Sequence, residues 1–445
     1  MQEILLVTRI HIIHVGNMNN KGTQALVSSD VFTLKDIIRN DVSISISTTD
    51  VEGLRKLGLP STTVLPTLID VPYEEADQLS KRLGISRNSV KYKILAIVAL
   101  FLMSIQTLMT FLSVGLIKIG LKTPYRQEVF DRIRESDLVV SCSDENFKET
   151  ASLLPLNIYW IFTWWSMLFE RTIEVLVAKS FSRPVVMFPN SVGPFRTWVG
   201  RFLSKLALSN CSSVIIRDPI SYHVVESLGI ESQKFLTSDM ALLFKPESRT
   251  VQEITNHPIM GVCPGIYSLS IPKQQIEKYI AEHAIALDAA IEKYGFHVIF
   301  LPHYISGFAY DDLEISELIL KSMKHQEKAR ILRIDDLDEF KLLINQVDLV
   351  ISSKMHPAVL AVSGNVPSIA IVYDHKQTGF FSDLGMSEFT VRLQEATGSQ
   401  LLSRIDSAWL ERENIKKSLG NLVPELQETI RKTVKTVIEP FVKCN

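Results

Sequence analysis

The chain has 445 residues, of which 46% are hydrophobic and 22% are charged. These fractions are those of an ordinary globular protein and exclude wholesale disorder and a fibrous repeat, while the length allows roughly two or three domains. The 47 Lys and Arg residues nearly balance the 49 Asp and Glu residues, for a formal net charge of −2. A near-neutral chain without a long basic run is a poor candidate for nucleic-acid binding, so no nucleic-acid partner is expected.

Cysteine usage and the start of the chain indicate a cytoplasmic protein. No pair of cysteines is spaced as C-x-x-C, and no histidines have metal-ligand spacing; the cysteines are Cys142, Cys211, Cys263 and Cys444. We therefore expect neither a disulfide framework nor a metal site. The first residues lack the basic start and the cleavage site of a signal peptide.

The first half of the chain predicts one α/β domain over residues 1–244. Residues 3–16 predict an opening strand region, and a helix is expected from near Gly22 to about Ile38. Short apolar runs typical of parallel central strands then alternate with helical segments. Strands are expected at 42–48, 137–142, 184–190 and 213–218, and helices at 51–58, 197–209 and 219–228. This alternation predicts a doubly wound sheet.

A second α/β series follows a polar linker at residues 245–258. It predicts a second Rossmann-like domain over residues 259–395, and residues 396–445 predict C-terminal helices. Its strands are expected at 259–264, 297–303, 330–334, 349–353 and 368–373, and its helices at 273–294, 310–324, 335–345, 355–363 and 377–384. We expect two doubly wound domains facing a cleft, with the site at the carboxyl ends of the strands.

One segment of the first domain is unusually apolar. Residues 94–117 carry no charge and would form a helix of about 36 Å, enough for a bilayer core of about 30 Å. Basic residues flank the segment on both sides: Lys91 and Lys93 before it, and Lys118, Lys122 and Arg126 after it. A second apolar stretch at 158–169 contains Trp160, Trp164 and Trp165, and tryptophan favours membrane interfaces.

Three structures fit this apolar helical insertion. A spanning helix would place the strands of one sheet on opposite sides of a membrane, which disfavours it. The alternatives are a helix buried in the core or at a subunit interface, and a helix or hairpin that lies in the cytoplasmic leaflet beside the tryptophans. We expect peripheral contact with the inner face of the membrane, and the oligomeric state stays open.

The loop at residues 16–26 is a candidate binding turn. Asn17, Asn19 and Gly22 suit a tight connection from strand to helix, because Asn and Gly tolerate unusual φ angles. Such a turn aims free backbone N–H groups and the positive end of a helix at an anion. A capped surface turn is the alternative explanation.

Two further candidates follow strands of the first domain. Ser191 and Gly193 belong to a polar loop after an apolar strand, and a plain turn explains them equally well. Arg217 ends the next strand, and its guanidinium suits phosphate or carboxylate because it donates two parallel hydrogen bonds. Asp239 follows and is a candidate to orient Arg217, unless Arg217 forms only a structural ion pair.

Cations and imidazoles follow three strands of the second domain. Lys354 and His356 stand together where one strand runs into a helix, Lys376 follows the next strand, and His303 ends a third. Because the carboxyl ends of parallel strands meet at one edge of a sheet, these side chains offer charge and proton-transfer capacity on one rim.

These motifs together resemble the polysaccharide pyruvyl transferase family. Six blocks carry the resemblance, in order and over residues 14–386: GNMNNKGTQALV, PNSVGPF, IIRDPIS with a later SDMALLF, LPH, SSKMHPAVLAVSGNVP and YDHKQTGFFSDLG. The resemblance implies a two-domain GT-B-like fold. It also implies transfer of a pyruvyl group from phosphoenolpyruvate to sugar hydroxyls as a ketal, onto exopolysaccharide or cell-envelope glycans that are often lipid-linked.

The sequence departs from the family pattern at two places. Lys354 stands where the family usually has Arg, which keeps the charge but loses the bidentate fork. Residues 142–147 stand where the family tends to have a Gly-Gly-Asp loop, and lost glycines restrict close backbone approach to a ligand.

The candidate residues have different predicted roles in ketal formation. His356 is the predicted proton-transfer residue, and Arg217 and Lys354 are predicted to hold the carboxylate and phosphate. Lys376 and His303 would support them, and the 16–24 loop would face the acceptor or complete the phosphate site. Phosphoenolpyruvate is then a substrate, and no cofactor or metal is expected. A GT-B glycosyltransferase that uses a nucleotide sugar and a non-catalytic scaffold in a glycan-assembly complex stay open as alternatives.

Overall fold

A computed structural model of the chain describes residues 7–38, 42–85, 89–149, 161–251, 253–254, 258–266, 272–305 and 310–442. The chain divides into two compact units. Unit 1 comprises Met1–Met18, Asp30–Thr237 and Arg431–Asn445, and unit 2 comprises Asn19–Ser29 and Ser238–Ile430.

The unit boundaries differ from the predicted domain bounds in three places. Residues 19–29 belong to unit 2, although they precede nearly all of unit 1 in sequence, because their first residues contact the second sheet's loops. The division after Thr237 comes before the predicted linker at 245–258. The C-terminal helices are shared, since residues from Arg431 onward pack with unit 1.

Unit 1 is built on a parallel sheet of eight strands. The strands are β1 (Thr8–Val15), β2 (Val42–Thr48), β3 (Thr62–Pro66), β4 (Leu138–Ser141), β5 (Asp144–Phe147), β6 (Val185–Val192), β7 (Ser213–Ile216) and β8 (Gln233–Leu236). Their order is β3-β2-β1-β4-β6-β7-β8, and β5 pairs with β6. The helices are α1 (Lys21–Ile38), which begins in unit 2, α2 (Val51–Lys56), α3 (Pro72–Arg82), α4 (Val90–Lys118), α5 (Gln127–Glu135), α6 (Ser166–Ser180), α7 (Trp198–Ser209) and α8 (Pro219–Leu228).

Unit 2 carries a parallel sheet of six strands in the order β11-β10-β9-β12-β13-β14. They are β9 (Ile259–Cys263), β10 (His297–Phe300), β11 (Ala329–Ile331), β12 (Leu349–Ser352), β13 (Ser368–Val372) and β14 (Thr390–Arg392). The helices are α9 (Lys273–Tyr294), α10 (Asp312–Ser322), α11 (Leu337–Ile344), α12 (Met355–Val362), α13 (His375–Asp383), α14 (Gly398–Leu410) and α15 (Arg412–Ile438), of which the last ends in unit 1.

The two sheets confirm the predicted fold class of two Rossmann-like α/β domains. The central strands form because short runs of Val, Ile and Leu are buried on both faces; β4, β9, β12 and β13 are buried along their whole length. The strand order reverses between β1 and β4 in unit 1 and between β9 and β12 in unit 2. Ligands of such sheets bind outside the carboxyl ends of the strands at these switch points.

The apolar insertion is a single helix, α4, of 29 residues. Within the described part of the chain it is the one helix that is long and apolar enough to cross a membrane, by length and composition alone. Its N-terminus is capped by Ser89, whose hydroxyl accepts a hydrogen bond from the backbone N–H of Tyr92.

Two tryptophans of the second apolar stretch pack into unit 1. Trp164 is buried against Met167, with the ammonium of Lys148 5.6 Å from the centre of its ring. The indole N–H of Trp165 donates to the Glu149 carboxylate at 3.0 Å. Packing and a buried acceptor therefore hold both rings in unit 1, while Trp160 lies outside the described residues.

Candidate functional site

In unit 2, the loop after β12 brings Lys354 to a buried carboxylate. The ammonium Nζ of Lys354 lies 2.7 Å from Oδ1 of Asp312, a residue that is 1% exposed. The other carboxylate oxygen, Oδ2, accepts the backbone N–H groups of His303 and Tyr304 at 3.2 and 2.7 Å. Burial raises the pKa of Asp312 despite these partners, so the lysine is the charge that compensates it.

The stem of Lys354 is fixed from two sides. Its Cε lies 2.5 Å from the point where a Cβ on Gly265 would be, so any larger residue there would displace the lysine. Its ammonium also lies 4.9 Å from the centre of the Tyr304 ring, within range of a cation–π interaction. These contacts hold the side chain of Lys354, which stands where the family usually has Arg, in place.

The start of α1 approaches His356 closely. A Cβ on Gly22 would lie 2.2 Å from Nδ1 of the imidazole, so only glycine fits beside the ring. The backbone N–H of Gly22 donates to the side-chain oxygen of Asn20 at 2.9 Å, and Asn20 pairs with Tyr304 in an isolated bridge. The glycine of the 16–26 loop is thus placed directly against the predicted proton-transfer residue.

His303 stacks on His356 inside the same cluster. Their ring centres are 6.5 Å apart with an angle of 16° between the planes. His303 is 2% exposed, and among the described residues neither of its ring nitrogens has a hydrogen-bond partner. Burial, and then the charges of Lys354 and Lys21, hold the pKa of His303 well below its usual value of 6.5, so its imidazole is neutral.

Lys21 is a site residue that the sequence prediction missed. Its buried ammonium donates to the carbonyl of His303 at 3.3 Å and lies 5.5 Å from the centre of the Phe340 ring. Burial lowers the pKa of Lys21 from 10.5, which favours an anion as a further partner. The available signal was its position at the start of a helix that follows an Asn-rich turn.

A buried hydroxyl pair lies beside Gly265, the glycine against which Lys354 packs. The hydroxyls of Tyr279 and Ser353 lie 2.5 Å apart, and the same Tyr279 oxygen accepts the backbone N–H of Gly265 at 3.3 Å. Burial raises the pKa of Tyr279 and of the nearby Cys263 thiol, so both groups are protonated and inert at neutral pH. A cavity of about 110 Å³ lies beside Tyr279.

Three other predicted residues of unit 2 lie at helix starts or in a turn. Lys376 is buried in the first turn of α13. Asn19 is exposed in the turn before α1. Asp239 is fully buried and caps a short 3₁₀ turn, where its Oδ1 accepts the N–H of Ala241 at 2.8 Å.

In unit 1, Arg217 and Ser191 do come together. Arg217 is 1% exposed, and its Nε donates to the hydroxyl of Ser191 at 2.9 Å. That hydroxyl donates in turn to Asp218 at 2.8 Å, and Asp218 also caps α8 by accepting from the N–H and hydroxyl of Ser221. Arg217 is therefore linked to its sequence neighbour through Ser191 and has a structural role, whatever it binds.

Gly193 and Asn17 occupy turns of unit 1. Gly193 has a φ of +73°, a value that favours glycine, and its N–H donates to the carbonyl of Phe147 at 2.8 Å. Asn17 is half-buried after β1. The segment that departs from the family's glycine pattern is largely strand β5, and Ser143 just before it donates to Asp30 through both its N–H and its hydroxyl, at 2.8 and 2.7 Å.

A buried polar network at the switch point of unit 1 was not predicted. His14, at the end of β1, has a φ of +66° and places Nδ1 2.8 Å from the Ser141 hydroxyl and Nε2 3.0 Å from the carbonyl of Arg171. Glu174 lies beyond it, with Oε2 3.9 Å from Nε2. Burial raises the pKa of Glu174 to about 7 and lowers that of His14 well below 6.5.

In the part of the chain that the structure describes, no three histidine, cysteine, aspartate or glutamate side chains come together as a metal site. The unit 2 cluster offers two ammonium groups, a neutral imidazole and a second imidazole. This set suits a small dianion and a proton-transfer step.

Two sequence comparisons find similarity to proteins of polysaccharide biosynthesis. The family model described as polysaccharide pyruvyl transferase matches residues 52–375. The amylovoran biosynthesis protein AmsJ from Erwinia amylovora is 22% identical over 322 residues, which cover 68% of this chain and 72% of AmsJ.

Two solved structures show the fold. The UDP-GlcNAc 2-epimerase of Methanocaldococcus jannaschii superposes with a TM-score of 0.58 at 13% identity, covering 97% of this chain and 100% of the epimerase. Anabaena HepE, solved with UDP and glucose, superposes with a TM-score of 0.55 at 12% identity, covering 97% of this chain and 100% of HepE. At these identities the likeness is one of architecture.

Proposed function

The chain belongs to the polysaccharide pyruvyl transferase family, and we propose that it transfers a pyruvyl group from phosphoenolpyruvate to two hydroxyls of one sugar as a ketal. Its family makes it a glycan-modifying transferase of polysaccharide biosynthesis; the donor and the ketal chemistry are the proposal. The observation that carries it is the cluster of Lys21, Lys354, His303 and His356 around Gly22 in unit 2.

The reaction balances without an oxidant or reductant. A proton is added to the methylene carbon C3 of phosphoenolpyruvate, which becomes a methyl group, and positive charge develops at C2. One sugar hydroxyl adds to C2 and loses its proton, and the C2–O bond to phosphate breaks. A second hydroxyl then closes the ketal and loses its proton. Two protons leave the sugar, one replaces the proton delivered to C3, and the other departs with phosphate.

His356 fits the proton-transfer role because an imidazole exchanges protons near neutral pH. Gly22 and the stacked ring of His303 confine its ring. A fixed ring contributes more than a mobile one, since orientation is a large part of a proton-transfer rate.

Lys354 and Lys21 fit the role of anion ligands. Lys354 is held by Asp312 and Lys21 by a backbone carbonyl, so both ammonium groups are in place before a substrate arrives. Preorganised cations of this kind stabilise charge that develops on a leaving phosphate. His303, being neutral, would donate or accept a hydrogen bond and would not add charge.

The remaining predicted residues keep roles that are proposals. Arg217 is the anion ligand proposed from unit 1, with Ser191 as the group that orients it. Asn17, Asn19, Gly193 and Lys376 are proposed contacts to donor or acceptor, and the capping geometry of Asp239 makes it a support of its own turn. The chemistry as written uses no metal or cofactor.

We also propose a glycan acceptor that is lipid-linked, which would place the enzyme in the cytoplasm at the inner face of the membrane. The apolar helix α4 supports this location. The nearest alternative activity is transfer from a nucleotide sugar, which the architecture shared with UDP-binding proteins brings into consideration.

The test is release of phosphate from phosphoenolpyruvate with a panel of free and lipid-linked glycans, together with mass spectrometry of the glycan. We expect phosphate release that depends on an acceptor and a product heavier by one pyruvyl ketal. His356→Ala should lower the rate by at least about 100-fold while the protein stays folded. Turnover of a sugar nucleotide without phosphate release would favour the glycosyltransferase, and no binding of phosphoenolpyruvate in calorimetry would favour a scaffold.

A further inference from the structure

Helix α4 buries one regular face against unit 1. The buried residues recur at intervals of three, four or seven positions, and most of them are small or polar: Tyr92, Ala96, Ala99, Met103, Thr110, Ser113 and Ile117. The spacing is that of one side of a helix. The inner face is therefore the less apolar side of this helix, the reverse of a helix in an ordinary soluble protein.

Polar contacts fasten this inner face to unit 1. The amide of Gln106 donates to the Asp70 carboxylate at 2.6 Å and accepts the Asp70 backbone N–H at 2.9 Å. Arg126 pairs with the same carboxylate at 2.6 Å, and the hydroxyls of Ser113 and Thr123 lie 2.7 Å apart. A spanning helix would have to carry this charged network into hydrocarbon, where unsatisfied charge is strongly disfavoured.

The outer face of α4 consists of large apolar side chains. Nine of them are 43% to 65% exposed: Ile94, Ile97, Val98, Phe101, Leu102, Ile105, Leu108, Phe111 and Leu112. The nearby hydroxyls do not require water, because Ser104 and Thr107 donate to the carbonyls of Leu100 and Met103 in the preceding turn. The result is an apolar strip along the helix, far larger than the scattered exposed residues of soluble surfaces.

The charges at the two ends of α4 indicate what could cover the apolar strip. Lys91, Lys93, Lys118 and Lys122 are exposed, and residues 89–122 contain no Asp or Glu. A second copy of the chain that paired along this face would bring lysines against lysines in either direction, which disfavours a dimer. An anionic lipid surface, in contrast, offers an apolar layer for the strip and negative headgroups for both ends.

We propose that the outer face of α4 is a membrane-docking surface, on which the helix lies parallel to the leaflet with its lysines at anionic headgroups. At about 43 Å the helix is long enough for the whole strip to enter the interfacial layer at once. This inference deepens the proposed location at a membrane and does not depend on the transfer chemistry.

Flotation of the full-length protein with vesicles tests the docking surface. The vesicles are made of equal parts phosphatidylcholine and phosphatidylglycerol, or of phosphatidylcholine alone. We expect the protein to float with the anionic vesicles, and Phe101→Glu or Leu108→Glu to weaken binding by at least about tenfold. Leu410→Glu, a matched change at an exposed leucine outside α4, should bind like wild type. Lys118→Gln should weaken binding to the anionic vesicles by roughly fivefold and leave binding to neutral ones unchanged.

Three outcomes would overturn the proposal. Wild-type protein that stays with neither vesicle, or glutamate variants that bind like wild type, would exclude α4 as the docking surface. A lipid-free dimer in light scattering that Leu108→Glu converts to a monomer would show that a second copy covers the strip. Because the assay contains no phosphoenolpyruvate, and phosphate release is measured with a soluble glycan, failure of docking and failure of the transfer activity are separate results.

Discussion

Gly22 and His356 are in such close contact that a Cβ on the glycine would lie 2.2 Å from Nδ1 of the imidazole. The contact joins the first turn of α1 to the first turn of α12 inside unit 2. Gly22 lies in helix α1 and does not have a positive φ, so the helix itself would accept alanine at this position. The residue that requires glycine there is therefore His356.

Gly22→Ala should therefore act through His356. We expect the added methyl to displace the ring and to lower the rate of phosphate release by about 100-fold, the scale of a misplacement of about 1 Å. Gly420→Ala, at a helical glycine with open space where a Cβ would lie, is the matched control and should keep full activity. In a His356→Ala background the Gly22→Ala change should cost nothing further; an additive loss would show that Gly22 acts elsewhere.

Lys354 offers a test of the charge that replaces the family's arginine. Lys354→Arg should keep activity within about tenfold of wild type, because a guanidinium can still pair with Asp312 and with an anion. Lys354→Met should raise the KM for phosphoenolpyruvate by at least about tenfold, the scale of a lost charged hydrogen bond. Steady-state kinetics of the two variants check this, and equal losses in both would mean that the position has diverged in role.

Arg217 tests whether the buried arginine of unit 1 also binds substrate. We expect Arg217→Ala to weaken phosphoenolpyruvate binding by about 1.5–3 kcal/mol in calorimetry. Ser191→Ala keeps the guanidinium charge and removes only the hydroxyl that accepts from Nε, so its effect on binding should be smaller. If Arg217→Ala lowers the free energy of unfolding but leaves the affinity unchanged, Arg217 is a structural residue of the Ser191–Asp218 network.

The sequence predicted the sheets well because buried parallel strands have a strong local pattern. Residues 42–48 form β2 as expected, and α1 ends at Ile38. The site was predicted in part: Lys354, His356, His303 and Gly22 meet in unit 2. Lys21 and Asp312 were missed because their roles depend on contacts between segments that are distant in sequence. The local pattern offered only the position of Lys21 at a helix start and, for Asp312, nothing that distinguishes it from a surface charge.

Trp164 and Trp165 show the same limit of a local pattern. Three tryptophans in an apolar run are typical of a membrane interface, but the same composition fits a core helix that has a buried acceptor nearby. Glu149 supplies that acceptor and also receives the N–H groups of Arg196 and Thr197 at 2.6 and 2.8 Å at the start of α7. A local sequence pattern cannot predict that the Glu149 carboxylate contacts the start of α7, nearly fifty residues away.

Glu174 gives a prediction about pH that is independent of substrate. Its carboxyl is fully buried, its Oε1 accepts the N–H of Leu68 at 2.9 Å, and burial raises its pKa from 4.5 to about 7. The folded state therefore binds this proton more tightly than the unfolded chain does. Stability from this group is present below pH 4.5 and is lost as the pH rises through about 7, and the loss approaches about 3 kcal/mol above that.

Glu174→Gln should remove this dependence, because the neutral amide resembles the protonated acid and its oxygen can still accept from Leu68. We expect the variant to unfold at a higher urea concentration than wild type at pH 8 and to differ little from it at pH 5. Glu231→Gln, at an exposed position, controls for the loss of one negative charge and should shift neither midpoint. A variant that is less stable than wild type at pH 8 would mean that the ionised carboxylate is compensated in the fold, with His14 as the group that would then carry the opposite charge.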